Sequence, residues 1–329
     1  MCTALSINTV KGNYFFGRNM DLAYFFNQSV MIIPKFYEFR DLVTGNMVTN
    51  KRAIICMGTV IDNHPSIADG MNENGLAAAG LNFAGYAYFE KEPVEGKINI
   101  APYDFIPWVL SNHDTVEEVK ENISNIELVD VPINEKTPCP TLHWMISDKS
   151  GNSIVVEKTK EKLTYYNNPV GVLTNNPTFD WHLTNLNEYI YLTPNSPKDT
   201  EWSSQELTPL GIGAGTLGIP GDFASVSRFV RAAYIRANEP IIDNDINAVT
   251  QFFHMLDYVK MIRGGVMTKE GLEDLTLYSS CMDQEKGVYY YKTYGNNRIN
   301  AVDMKKENLE GKELKIFEYK NNQDINYQN

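Results

Sequence analysis

Apolar positions along the chain fall in short runs, and the first two runs predict a hairpin. Leu5-Ser6-Ile7 and Tyr14-Phe15-Phe16 are β-prone and are separated by Lys11-Gly12-Asn13, so the chain enters a sheet almost at its first residue. A buried strand is predicted over 52–60, around Ala53-Ile54-Ile55-Cys56-Met57-Gly58. Asn72-Glu73-Asn74-Gly75 then turns the chain into a strand over 76–83, whose Ala and Gly residues admit close approach of another backbone or a ligand. Helices are expected over 102–110, with Pro102 suited to a first turn, and over 115–126, where Thr115 and Glu118 form a capping-box pair. Segment 129–140 is broken by proline, too irregular for a sheet and too long for a tight turn, as loops bordering binding sites often are. Strands return over 142–147, 153–158 and 170–174. Leu183, Leu186, Tyr189 and Ile190 give helical spacing over 179–192, and two more helices are expected at about 224–237 and 246–262. The last part is β again, over 275–282, 287–294, 298–304 and 314–319.

Strands and helices thus come in separate blocks, which implies an α+β fold of antiparallel sheets covered by helices. No linker or compositional shift divides the 329 residues, so one domain over 1–329 is expected. A net charge of −12 argues against nucleic-acid binding, and an anionic ligand would need local positive charge within its site. Cys2, Cys56, Cys139 and Cys281 are too scattered for a disulfide framework or a zinc site, and Cys56 reads as a buried, inert thiol. His64, His113, His143, His182 and His254 lack metal-ligand spacing, so neither metal nor cofactor is expected. A dyad of Cys139 or Cys281 with a histidine stays open, without local support. Gly213-Ala214-Gly215-Thr216-Leu217-Gly218 fits G-x-G-x-x-G but lacks the leading strand and the following helix that dinucleotide binding requires. With no basic segment before an apolar core and no run of membrane-spanning length, the expected location is the cytoplasm, with no membrane partner. The sequons at Asn27 and Asn122 are then accidental.

The chemistry concentrates at the start of the chain. Aminopeptidases remove an initiator Met that precedes a residue as small as Cys, so Met1 is expected to be lost and Cys2 to carry a free amine. An α-amino group titrates at about 7.7–8.0 and a thiol at about 8.5, close enough to share a proton near neutrality. One residue would then supply nucleophile and base together. Arg18 and Asp21, three residues apart on the second predicted strand, can favour the thiolate and orient the amine.

Met1-Cys2-Thr3, Phe16-Gly17-Arg18-Asn19-Met20-Asp21, Asn72-Glu73-Asn74-Gly75-Leu76, Gly80-Leu81-Asn82-Phe83, Leu173-Thr174-Asn175-Asn176-Pro177 and Pro220-Gly221-Asp222 with Ser227-Arg228-Phe229 occur in an order that resembles the choloylglycine hydrolase family. These are N-terminal nucleophile hydrolases that include conjugated bile acid hydrolases and penicillin V acylases. The resemblance extends to Tyr289-Tyr290-Tyr291 and to Asn300-Ala301-Val302-Asp303-Met304, and implies a four-layer αββα sandwich with two antiparallel sheets between helical layers.

It also implies a mechanism. Cys2 attacks the substrate amide and its own amine takes the proton. Asp21 holds that amine, Arg18 and Arg228 supply positive potential, and the backbone N–H of Asn82 and the side-chain amide of Asn175 stabilise the oxyanion. Bile acid hydrolases of the family carry Asn where the acylases tend to carry Tyr, so Asn82 favours amide hydrolysis of glycine- or taurine-conjugated bile acids. Met20, Phe26, Ile61, Ala68, Ile133 and Leu142 resemble the family's apolar pocket, and Gly211-Ile212-Gly213 leans towards good activity on taurine conjugates. The family further implies a bacterial homotetramer in bile acid and lipid metabolism. Alternatives are an acylase of penicillin V or of acyl-homoserine lactones, and a non-catalytic binder of amphipathic ligands.

Overall fold

A computed structural model describes residues 1–240 and 242–329. The strands of its two large sheets are, in chain order, β1 (Cys2–Asn8), β2 (Tyr14–Leu22), β3 (Ser29–Ile33), β4 (Ile54–Ile61), β5 (His64–Asn72), β6 (Ala77–Asn82) and β7 (Leu142–Ser147). They continue as β8 (Ser153–Lys158), β9 (Leu163–Asn167), β10 (Val172–Leu173), β11 (Leu275–Asp283), β12 (Val288–Thr293), β13 (Asn300–Asp303) and β14 (Lys315–Phe317). The α-helices are α1 (Phe105–Asn112), α2 (Val116–Ile123), α3 (Phe179–Asn185), α4 (Ser225–Ala237) and α5 (Asp245–Asp257).

The first sheet has the order β10-β1-β2-β11-β12-β13 and the second β9-β8-β7-β6-β5-β4-β3-β14, antiparallel throughout. Side chains alternate across the second sheet, as the two-residue strand period requires. Ile55 and Met57 of β4 join one buried cluster, while Ile54 and Cys56 join another; on β6, Ala77, Ala79 and Leu81 separate from Ala78 in the same way. The outer cluster packs beneath Phe105, Val109 and Leu110 of α1 and Val116, Val119 and Ile123 of α2. The inner cluster fills the space between the sheets and runs on under Phe229 and Ala232 of α4 and Ala248, Phe252 and Leu256 of α5. Each of the larger aliphatic and Phe side chains contributes about 1.5–3 kcal/mol by leaving water, and the result is the αββα sandwich.

The opening hairpin forms as its pattern predicts, pairing Cys2 with Met20 and Asn8 with Tyr14. Gly17 is required on β2 because a Cβ there would lie 2.0 Å from the Ser280 carbonyl oxygen of β11. Thr115 caps α2 by accepting from Glu118 N at 3.2 Å, but the Glu118 carboxylate reaches back to Asp114 N at 2.7 Å, one residue earlier than a capping box would have it. α2 stops at Ile123 because Ile126–Leu128 pairs in parallel with Ile98–Ile100. The helix expected over 179–192 is α3 followed by a 3₁₀ turn, Leu186–Tyr189. α5 ends at Asp257, short of 262, because Met261 exchanges bonds with Thr276 of β11: Met261 N donates to Thr276 Oγ1 at 2.9 Å and Thr276 N to Met261 O at 3.1 Å. β5 escapes the hydrophobic pattern since Pro65, Asp69 and Gly70 interrupt it.

Candidate active site

Pairing within the hairpin sets the site. Cys2 lies opposite Met20, and Arg18 lies opposite Ala4, so Arg18 is the diagonal neighbour of Cys2 on one face of the sheet, within reach of a long side chain. That face looks at the second sheet: Arg18 Nη1 donates to Gly80 O at 2.6 Å and to Ala68 O at 3.4 Å. Asn19 and Asp21 point the other way, to the helical layer, where Asn19 Nδ2 donates to Leu256 O of α5 at 2.8 Å. Asp21 Oδ1 accepts from Thr276 Oγ1 at 2.6 Å. A bulge makes this contact possible, since the register of β11 slips between Thr276 and Tyr278 and thereby turns Thr276 onto the helical face while Tyr278 stays on the inner one.

Two elements converge on the Cys2 backbone and a third joins through Asn175. Asn175, two residues past β10, accepts at Oδ1 from Cys2 N at 2.9 Å and from Arg228 Nη2 at 2.6 Å. Its Nδ2 donates to Asn82 O at the end of β6, 2.7 Å away. Arg228 of α4 also donates through Nη1 to Cys2 O and to Thr3 Oγ1, the latter at 2.6 Å, and through Nε to Phe223 O at 3.0 Å. The amide of Asn175 has one N–H left for another acceptor.

Charge is concentrated here under full burial. Cys2 is 3% exposed, and Arg18, Asp21 and Arg228 are 0% exposed. Burial pushes the Asp21 carboxyl above its ordinary range, against the opposing pull of the chain's terminal ammonium, Arg228 and Thr276. Burial also lowers Arg228, with Asp21 and Cys2 opposing. For Arg18 burial again acts to lower, but Cys2, Tyr278, Asp69 and Asp21 together raise it. Arg18 Nη2 is buried and has no protein partner. Met1, still attached to Cys2, places its ammonium 2.7 Å from Asp21 O and 3.4 Å from Asp274 Oδ2.

Of the residues singled out in the sequence, Cys2, Arg18, Asp21, Asn82, Asn175 and Arg228 are thus brought together. It is the carbonyl of Asn82 that faces Asn175, while Asn82 Oδ1 accepts from Thr141 Oγ1 at 2.9 Å. Met20 is buried beside Cys2, and Phe26 and Ala68 border the same inner cluster. Leu142 is paired with Asn82 but packs on the outer cluster. Ile61 ends β4 on the same rim of the second sheet as Asn82 and Leu142, and the segment of Ile133 is tied to it by Asn134 Nδ2 donating to Asp62 Oδ2 at 2.5 Å. Gly213–Gly218 encloses a 3₁₀ turn, Ala214–Thr216, with no strand running directly into it and no α-helix within it. Cys139 contacts Val131 O and its thiol is pushed up to about 12 by burial; neither it nor Cys281 bonds a histidine.

Reading the sequence missed several supports. His182 of α3 stacks on Phe229 with ring centroids 4.5 Å apart and donates through Nε2 to Asn175 O at 2.9 Å; burial lowers it to about 4, so the ring is neutral. His143 of β7 places its ring nitrogens 3.1 Å from Thr174 O and 3.1 Å from Glu157 Oε1. Ser225 Oγ, at the start of α4, accepts from Asn175 N at 2.9 Å. Buried histidines without metal spacing are a weak signal, and Thr276 carries none, because its role depends on the bulge. Among the described residues no helix is long and apolar enough to cross a membrane, and no group of three or more His, Cys, Asp or Glu could hold a metal ion.

Comparison with known proteins places this geometry. The family model described as linear amide C–N hydrolases, choloylglycine hydrolase family, matches residues 2–317. A bile salt hydrolase/transferase of Clostridium perfringens is 51% identical over 331 residues, covering 100% of both chains. The crystal structure of the C2A mutant of a conjugated bile acid hydrolase from the same species superposes with a TM-score of 0.96 at 50% identity, again over 100% of both chains. A penicillin V acylase from Agrobacterium tumefaciens is further away, at 25% identity and a TM-score of 0.74, covering 96% of this chain and 90% of that one.

Proposed function

The chain belongs to the choloylglycine hydrolase family of linear amide C–N hydrolases, and from that membership we propose that it hydrolyses glycine- and taurine-conjugated bile acids through Cys2. The observation that carries this reading is the grip of Asn175 and Arg228 on the two ends of the Cys2 backbone, its N–H and its carbonyl, with Asp21 drawn to the chain's terminal ammonium next to it. Loss of Met1 would convert the Cys2 amide nitrogen into an amine already held at Asn175 Oδ1, with the Asp21 carboxylate at hand for its charged form.

In this mechanism the amine takes the thiol proton as Sγ adds to the amide carbonyl. Arg18, with a buried and uncommitted Nη2, favours the sulfur anion. The remaining N–H of Asn175, with the Asn82 backbone, faces the oxyanion. The amine then delivers its proton to the departing glycine or taurine nitrogen as the C–N bond breaks. Water attacks the thioester, gives its proton to the amine and releases free bile acid and Cys2. Met20, Phe26, Ala68, Ile61, Ile133 and Leu142 are assigned to the apolar steroid cleft, and taurine conjugates are expected to be good substrates. Penicillin V and acyl-homoserine lactones are secondary candidates at most, in keeping with the distance of the acylase fold.

Residues 1–329 act in this proposal as one domain. A homotetramer is carried over from the family, and the exposed Trp202, Leu210, Ile212 and Leu217 on one segment offer apolar surface for a subunit contact. Four free cysteines suit a reducing compartment, here the cytoplasm, and the proposed substrates would put the activity in bile acid and lipid metabolism. Amine release from taurocholate, glycocholate and penicillin V, side by side on protein shown by intact mass to lack Met1, tests the reading. Release from the two bile acids well above that from penicillin V supports it; preference for penicillin V, or silence on all three, overturns it.

A further inference from the structure

Behind Arg18 lies a second buried charge. Asp69 of β5 is 0% exposed, and it reaches across from the second sheet into donors that all come from the first. Tyr278 Oη donates to Asp69 Oδ2 at 2.6 Å, Tyr289 Oη to Oδ1 at 2.5 Å, and Ser280 Oγ to Oδ1 at 3.1 Å. Burial pushes the Asp69 carboxyl above its ordinary range, but Arg18 and these three hydroxyl donors pull against it and leave the carboxyl only acceptor work, which suits its ionised form. Ser280 Oγ in turn accepts from Arg18 N at 3.2 Å, so a continuous chain runs from the Arg18 backbone to the carboxylate.

The Arg18 side chain itself is held by neutral carbonyls, those of Asn19, Ala68 and Gly80. No carboxylate forms an ion pair with it among the described residues, yet a fully buried guanidinium needs a countercharge. The charged and titratable groups around it are Cys2 from β1, Asp21 from its own strand, Asp69 from β5 and Tyr278 from β11. Around Asp69 they are Arg18, Tyr278, Tyr289 and Cys56 of β4. Because Arg18 is anchored by carbonyls, Asp69 acts on the site through charge and not through a grip on the guanidinium.

We propose that Asp69 is a positioning residue that sets the reactivity of the Cys2 thiol: through its Tyr278, Tyr289 and Ser280 cradle it offsets the charge of Arg18, keeping the thiol balanced against its own amine. The inference rests on Cys2 being the nucleophile, as proposed above. With Asp69 neutral, Arg18 would hold the sulfur as an anion too firmly. A more acidic thiol is a weaker nucleophile, by about threefold for each tenfold gain in acidity at a Brønsted slope of 0.4–0.5.

The test is the rate of Cys2 alkylation by iodoacetamide as a function of pH, in the full-length protein with no bile acid present. Peptide mass spectrometry follows Cys2 apart from Cys56, Cys139 and Cys281. Asp69→Asn is expected to move the midpoint of the profile down by about one pH unit and to lower the plateau rate about threefold. Tyr289→Phe keeps the carboxylate but removes one donor; it is expected to shift the midpoint the same way by less, and it decides the matter if Asp69→Asn does not fold. A midpoint that stays in place or rises in the folded variant overturns the proposal, since a purely structural Asp69 would leave it unmoved. Because no substrate enters the assay, a wrong bile acid assignment leaves this result intact.

Discussion

The two faces of β2 bury a guanidinium in opposite ways. On the face towards the second sheet, Arg18 keeps Nη2 uncommitted, and the charges of Cys2, Tyr278, Asp69 and Asp21 raise its affinity for the proton. On the helical face, Arg228 spends its donors on Cys2 O, Thr3 Oγ1, Asn175 Oδ1 and Phe223 O, and burial lowers it. The first arrangement leaves a charge available; the second consumes one as scaffolding. Alternation along β2 serves both within four residues, because Arg18 and Met20 face inward while Asn19 and Asp21 face the helices, where Asp21 feels the charge of Arg228.

The strongest way to break this comparison is to remove the atom both faces serve. Cys2→Ala is expected to abolish amide hydrolysis while leaving the thermal transition within a few degrees of the parent, and residual turnover at the parent rate would end the mechanism. The scaffold face comes next: Asn175→Ala removes the bridge among Cys2 N, Arg228 and Asn82 O, and is expected to cost on the order of a hundredfold or more in kcat. The charge face should respond differently. Arg18→Met keeps bulk and removes the charge, so its loss is expected to be on the order of tenfold to a hundredfold in kcat and to shrink as pH rises and the thiol ionises unaided. A loss for Arg18→Met that does not vary with pH would show that Arg18 too is scaffolding.

Much of this was legible in the sequence, for identifiable reasons. The β1–β2 hairpin follows from local pattern, and once Cys2 and Arg18 occupy that hairpin their diagonal relation is fixed by register. The residues carried over by family resemblance, Asp21, Asn82, Asn175 and Arg228, do meet around Cys2. The partners that hold them were not legible, because they come from sheet order and from one bulge. Thr276 lies in a strand predicted correctly over 275–282, yet alternation alone puts it on the same face as Tyr278, and only the slip between them turns it to Asp21. Asp69 was hidden for a related reason. A carboxylate between Ala68 and Gly70 breaks the apolar pattern by which strands are found, so β5 went unread together with the charge it carries.

Thr276→Val sharpens the helical face at smaller scale. It preserves shape but removes the donor to Asp21 and the acceptor for Met261 N, leaving two buried polar groups short of a partner. A stability loss of about 1–3 kcal/mol by denaturant titration is expected, together with a modest fall in kcat. An unchanged denaturation midpoint would show that the bulge contributes nothing through this contact.

The smallest effect expected at working pH belongs to His182, which supports the Asn175 carbonyl from α3. Burial holds its ring near 4, below the ordinary value of about 6.5. A depressed folded-state value means that the unfolded chain binds a proton the folded one refuses. The ring therefore leaves stability untouched above about pH 6.5 and subtracts from it progressively as pH falls towards 4, by at most about 3 kcal/mol. His182→Gln keeps an N–H for Asn175 O and removes the titration. It should match the parent within about 1 kcal/mol at pH 7.5 and overtake it at pH 4.5, as read from urea midpoints at the two values. Parallel midpoints for the two proteins would mean that the ring is not the source of acid sensitivity on the helical face, and that the scaffold around Arg228 is less dependent on a neutral His182 than its contact with Asn175 implies.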